Sequence, residues 1–140
     1  MNKFLSLLLT IFFGLSLSAQ DSSTIFHRTF DLKEVNGISL STHANDSVRI
    51  EPWVGNQLLI ETNVKLLNGK KPLLKHFLEK GRWALDTLMA GDQLQFAAHD
   101  PVRNVLTNAG TEVVDVVRIV VYMPDDFESS GPNSWARKEE

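Results

Sequence analysis

The chain is predicted to be mainly β, with one short helix at about 72–80. Three observations predict it. Apolar and polar residues alternate over most of 24–67, single Gly, Asn and Asp residues punctuate those runs, and only one later segment shows helical spacing.

The first strand begins near Thr24, where Ile25, His27 and Thr29 share one parity and Phe26, Arg28, Phe30 and Leu32 the other. Asn36-Gly37 interrupts the run. Ile38, Leu40 and Thr42 then share a face up to Asn45-Asp46, a turn pair that tolerates positive φ. Val48-Arg49-Ile50 is a short strand stopped by Pro52, which cannot donate to a ladder. After the Gly55-Asn56 turn, Leu58, Ile60, Thr62, Val64 and Leu66 fall on one parity, the clearest half-buried strand of the N-terminal half.

Asn68 to Pro72 breaks the alternation, and Leu73, Leu74, Phe77 and Leu78 follow at helical spacing, with Pro72 in the first turn and Gly81 as the C-cap. Ala90-Gly91-Asp92 joins two strands, 82–88 and 93–98, into a hairpin, and His99 to Gly110 reads as a loop. From Val113 to Met123 both faces are apolar, the mark of a central strand, with Asp115 and Arg118 near its edge or mouth. Periodicity ends after Pro124. The expected organisation is a signal peptide at 1–19, a single β-rich domain at 20–128 and a disordered polar tail at 129–140.

The signal peptide is read from Lys3, an apolar run from Phe4 to Leu17 and small residues at Ser18-Ala19, with cleavage after Ala19 or Gln20. The run is shorter than the ~20 residues a membrane span needs. Without residues 1–19, which hold Lys3 and no acid, 13 basic residues face 17 acidic ones, a net charge near −4. No basic stripe is present, which argues against nucleic acid as a partner. The chain has no cysteine, so neither disulfides nor a lipid-modified N-terminal cysteine are expected, and packing must supply the stability. A second membrane span is not expected either, since 113–123 is short and carries two charges. Seven or eight short strands interrupted by a helix also fit an outer-membrane barrel poorly.

Residues that could carry chemistry are scattered. His27, His43, His76 and His99 lack the paired spacing of zinc ligands, and Asp125-Asp126 with Glu128 lacks the surrounding loop that calcium requires. No Gly-x-Ser-x-Gly elbow and no phosphate-binding glycine loop occurs. Asn45-Asp46-Ser47 matches a glycosylation sequon but reads as a turn. No catalytic residue, metal or other cofactor is therefore assigned. Three residues are singled out as surface or pocket contacts: Trp53 at a strand end, Arg82 after the helix, and His99 at the start of the long loop. Trp53 reads first as a lid on one end of the core, and otherwise as an aromatic platform for a sugar or partner. Trp83 reads as core, and Trp135 is the one aromatic that packing does not explain.

Three runs carry a family resemblance: Val48-Arg49-Ile50-Glu51-Pro52-Trp53-Val54-Gly55-Asn56-Gln57-Leu58-Leu59-Ile60-Glu61-Thr62, Phe77-Leu78-Glu79-Lys80-Gly81-Arg82-Trp83, and Arg118-Ile119-Val120-Val121-Tyr122-Met123-Pro124. Together they resemble exported β-strand-repeat proteins related to the adhesin domains, of auto-transporter adhesin head type, of Gram-negative envelopes. The resemblance covers about 24–128 and implies a β-solenoid or two-layer meander with no catalytic residues to carry over. Members of that family continue with further strands after the proline, whereas a polar tail follows here, so this chain is expected to be a short or truncated member.

These readings lead to an exported, non-enzymatic β domain, periplasmic or extracellular, that binds a protein or glycan partner, with adhesion as the family-level expectation. Self-association through a sheet edge left open after Val113 to Met123 is expected if the tail does not cover that edge. The alternative is a periplasmic small-ligand-binding or hydrolytic domain with a pocket between the helix and the sheet, near Trp53, Arg82 or His99.

Overall fold

The computed structural model describes residues 20–140, so the expected signal peptide lies outside the described residues. The first half of the chain forms β1 (Ser22–Asp31), β2 (Gly37–Ser41), β3 (Ser47–Trp53), β4 (Gln57–Leu67) and α1 (Lys71–Glu79). The second half forms β5 (Leu85–Ala90), β6 (Gln93–Ala98), β7 (Leu106–Asn108), β8 (Thr111–Pro124), β9 (Phe127–Gly131) and β10 (Ser134–Arg137).

The strands make two sheets. One runs β1-β4-β8-β3, with β7 paired to the first residues of β8, and the other runs β5-β6-β2-β10-β9. The mainly β class with one short helix is thus observed, and the hairpins β5–β6 and β9–β10 are meander-like locally. No solenoid coil is present among the described residues. Neither sheet is purely antiparallel: β3 lies parallel to β8, and β2 lies parallel to β6.

The parallel pairing of β3 and β8 has a simple cause. Only 54–56 separate β3 from β4, yet the two strands are not neighbours, because the largely apolar β8 is inserted between them. The crossing spans two ladder spacings, about 10 Å, within reach of four peptide links of about 3.5 Å each. β8 therefore has β4 on one side and β3 and β7 along its length, as its two-sided apolarity predicts. The strand expected to leave an open edge is thus paired on both sides, by β4 along one and by β7 and β3 along the other except at 114–117.

The core lies between the sheets. Leu58, Ile60, Thr62, Val64 and Leu66 of β4 are all buried, and so are Val113, Val117, Ile119, Val121 and Met123 of β8. Ile38, Leu40, Leu94 and Phe96 meet them from the second sheet. Across the gap the rings of Phe30 and Phe96 meet edge to face at 4.8 Å, which stacks β1 over β6. Such edge-to-face contact is a favoured geometry for aromatic pairs. No helix among the described residues is long and apolar enough to cross a membrane.

The polar C-terminal segment is not a disordered tail. It forms the β9–β10 hairpin, and β10 is an interior strand between β2 and β9. Its apolar content is low because two aromatics and one arginine do the fastening. Phe127 is buried and Trp135 packs half-buried on the core, which accounts for the tryptophan that the sequence left without a place. Arg137 donates to the Val35 and Leu32 carbonyls, pairs with Asp126 and lies 4.7 Å over the Phe127 ring. The last contact is a cation–π arrangement. Asn133 makes the turn with a positive φ, a conformation asparagine tolerates. The long loop after His99 likewise contains a strand, β7, so the described residues hold ten strands rather than seven or eight.

A chain ending at Gly131 tests the role of β10. Losing an interior strand should abolish the cooperative thermal transition followed by circular dichroism, whereas removal of a disordered tail would leave it unchanged.

Candidate functional site

The sequence pattern of β8 contains one anomaly, and the site is built around it. Asp115 occupies the inward parity, between the buried Val113 and Val117, so its carboxylate, 19 % exposed, lies at the margin of the core and its charge calls for partners. Arg82 and Trp83 are those partners. Arg82 Nε donates to Asp115 Oδ2 at 3.0 Å and Trp83 Nε1 donates to the same oxygen at 2.8 Å. Arg82 is 6 % exposed and Trp83 1 %.

The end of α1 places both donors. Gly81 has a positive φ, in the left-handed region that glycine reaches without a Cβ penalty. Its N–H donates to the Leu78 carbonyl and that of Arg82 donates to Phe77, which is a complete Schellman closure. The chain then turns from the helix straight into the core. A Cβ on residue 81 would also stand 3.2 Å from the His99 ring. The C-cap role expected for Gly81 is thus what aims Arg82 at Asp115. The Arg82 guanidinium lies 5.5 Å from the Phe77 ring centre.

A second buried pair stands beside the first. Arg103 grips Asp46 through both nitrogens, Nη1 donating to Oδ1 and Nη2 donating to Oδ2 at 2.8 Å. This is the two-pronged geometry that a guanidinium and a carboxylate favour. The two side chains are 5 % and 2 % exposed. Arg103 Nε also donates to the Arg82 carbonyl at 3.2 Å, while Arg82 Nη2 donates to the Asn104 carbonyl at 2.9 Å. The network joins the end of α1, the 99–105 loop, the turn before β3 and the body of β8. Among the described residues, no buried side-chain nitrogen or oxygen lacks a partner.

Beside this network opens a cleft of about 490 Å3 walled by Phe77, Lys80, Arg82, His99 and Leu106. His99 and Arg82, both singled out in the sequence, therefore meet. His99 is half exposed, and its Nδ1 lies 2.9 Å from Asp86 Oδ1. Trp53 does not join them. It sits at the far end of β3 on the outer face of its sheet, level with Pro124 and nine residues along β8 from Asp115. There it stands outside the core: its indole donates to the Gln57 carbonyl at 3.0 Å and its ring leans on Tyr122 at 5.7 Å, clamping the crossing over the end of β8. The four histidines lie apart, and among the described residues no three potential ligands gather to hold a metal.

Asp46, Arg103 and Asp115 are the participants that sequence reasoning missed. For Asp115 a signal existed, an acid in phase with Val113 and Val117. Asp46 looks like any turn residue, and Arg103 lies in a stretch without periodicity. Comparison with protein-family models, curated proteins and solved structures finds no match.

Burial opposes ionisation of Asp115, but the hydrogen bonds from Trp83 and Arg82 and the Arg82 charge outweigh it and hold the carboxyl below its ordinary range. A depressed folded value contributes stability that is present above the unfolded value and lost as pH falls through the folded one. Unfolding midpoints should therefore decline on acidification below about pH 4, the unfolded aspartate value. Asp115→Asn should be less stable at neutral pH and show a flatter acid limb in urea titrations run from neutral pH down into the acid range.

Asp46→Ala leaves the Arg103 guanidinium buried without its partner and should cost about 3–5 kcal/mol in urea unfolding at neutral pH. The control is Asp31, which is exposed and contacts Lys33. Its removal should change stability by less than about 0.5 kcal/mol.

Proposed function

We propose that this chain is an exported, non-enzymatic β domain of the cell envelope, periplasmic or extracellular, that binds a protein or glycan partner. The observation that carries the reading is the division of side chains between interior and surface. Both arginines of the candidate site are engaged in internal pairs that fasten the fold. Most of the accessible apolar residues lie instead on sheet edges and loops, among them Ile25 on β1, Leu88 and Met89 on β5, and Val102 and Val105 before β7. Exposed apolar groups beside strand edges are where partners dock. Export rests on the apolar run at 4–17 and the small residues at 18–19. The alternating strands and local meanders support a relation to adhesin-type β-strand-repeat proteins of Gram-negative envelopes.

A second reading, small-ligand binding or hydrolysis, has one observation in its favour, the cleft that brings His99 and Arg82 together. Its Arg82 already serves Asp115, so Lys80 and His99 are left to meet a ligand.

The test expresses the full chain in a Gram-negative host and purifies the product from the periplasm or medium. Mass spectrometry should find a chain starting at Gln20 or Asp21. That product should bind outer-membrane vesicles saturably, with binding lost after protease or periodate treatment of the vesicles. Cytoplasmic retention overturns export, and vesicle binding that survives both treatments overturns a protein or glycan partner. Loss of vesicle binding in His99→Ala, with the fold intact, would favour the cleft of the second reading.

A further inference from the structure

The two sheets do not match in width. β1 ends its sheet and stacks over β6, the second strand of the other sheet, so β5 extends one strand beyond the cover above it. The exposure of β5 records this overhang. Thr87 pairs with Phe96 and Met89 with Leu94, so both point to the same side as those buried residues, yet Thr87 is exposed and Met89 is 47 % exposed. Arg28 bridges the step, donating to the Leu85 carbonyl at 3.0 Å. The place beside β1 and above β5 is one strand wide.

The same edge of β1 runs on to α1. There a cleft of about 450 Å3 lies between the start of β1 and the helix, with Pro72, Leu74 and Leu78 as its apolar wall. Lys71 and Lys75 also line it, and neither joins an ion pair among the described residues. Edge, overhang and cleft form one track along β1, roughly 30 Å for nine residues at about 3.3 Å each.

Resting on the partner-binding reading above, we infer that this track receives an extended peptide, which adds as a strand to β1 and sets an apolar side chain next to a carboxylate in the α1 cleft. Three features fix that occupant. Among the described residues β1 is paired on one side only, by β4, and main-chain pairing along its other side gives affinity without a particular sequence. The cleft is apolar at its wall and cationic at its lining, which selects an apolar residue beside an acidic side chain or a C-terminal carboxylate. A second copy of the chain is excluded by the overhang. Pairing β1 with its symmetry mate would bring the mate's own lower sheet, about 10 Å beneath, into the place that β5 occupies. A single strand has no second layer and fits.

The exported full-length product is panned against random nine-residue peptides displayed with free C-termini, and enriched peptides are measured by fluorescence anisotropy. Enriched sequences should alternate apolar and polar residues and carry an acid beside an apolar residue at one end. The Lys71→Glu/Lys75→Glu double variant should bind at least tenfold more weakly. Amide exchange of the unmodified protein should show new protection along β1 when peptide is present. The inference is overturned by any of four results: no enrichment, protection on β3 or β9 instead of β1, binding indifferent to the lysine changes, or dimerisation through β1 in light scattering without peptide. Decanoate that binds with the same lysine dependence, while no peptide protects β1, would assign the cleft to a free amphiphile and also overturn it. Vesicle binding that persists in the double variant would remove the track while leaving the broader partner-binding reading in place.

Discussion

A partly buried carboxylate at the margin of the core is the constraint on which the rest of this structure depends. Asp115 points inward from the central strand, where an unpaired charge is unfavourable, so the fold must deliver donors to it from elsewhere in the sequence. Arg82 and Trp83 come from a helix end more than thirty residues earlier. Their arrival requires the Gly81 turn, and Arg82 in turn fixes the 99–105 loop through Asn104 and Arg103. Arg103 then reaches Asp46 and secures the turn that starts β3. Four segments far apart in the sequence are held by one chain of charge-assisted hydrogen bonds. Replacing such pairs with apolar residues is often neutral or stabilising elsewhere, so their contribution here is the fixed arrangement of segments more than raw stability.

The strands were legible wherever one face is buried and the other wet, because a two-residue period leaves a plain imprint. The β4 parity and the central place of β8 follow from that logic, while the Gly81 cap and the Gly91 hairpin follow from the turn chemistry of glycine. What failed was anything decided by distant partners. Gly55-Asn56 looks like the turn of a hairpin, and only the insertion of β8 separates the strands it joins. The C-terminal segment looks disordered because its burial comes from Trp135, Phe127 and an arginine that binds carbonyls 102 and 105 positions away. Short-range composition cannot register contacts of that separation.

The candidate site divides in the same way. Arg82 and His99 stand out as charged or titratable groups next to apolar runs, and they do converge on one cleft. Trp53 stands out for its size, yet its ring serves the crossing over β8 at the opposite end of the sheet. Asp115 was visible as an exception to the parity of its strand, and the physical reading of such an exception is a buried partner. Arg103 and Asp46 carried no such exception, since a turn acid and a loop arginine are ordinary at the surface.

Fastening and openness meet at α1. Its C-terminal end is tied into the core through Gly81, Arg82 and Trp83, while its Lys71, Leu74, Lys75 and Leu78 line the cleft beside β1. A groove wall anchored in this way has little freedom to lose when something lies against it, and the entropy cost of ordering it has been met during folding. The floor of the track is equally set, because β1 pairs along ten residues with the buried strand β4. The acid on β8 therefore has a consequence at the surface: by holding the helix end, it ties α1 to the sheet whose outer strand is β1. A structure that places its buried charges under one end of a helix and its unpaired ladder along the other side presents a rigid edge, the form in which strand addition loses least to ordering.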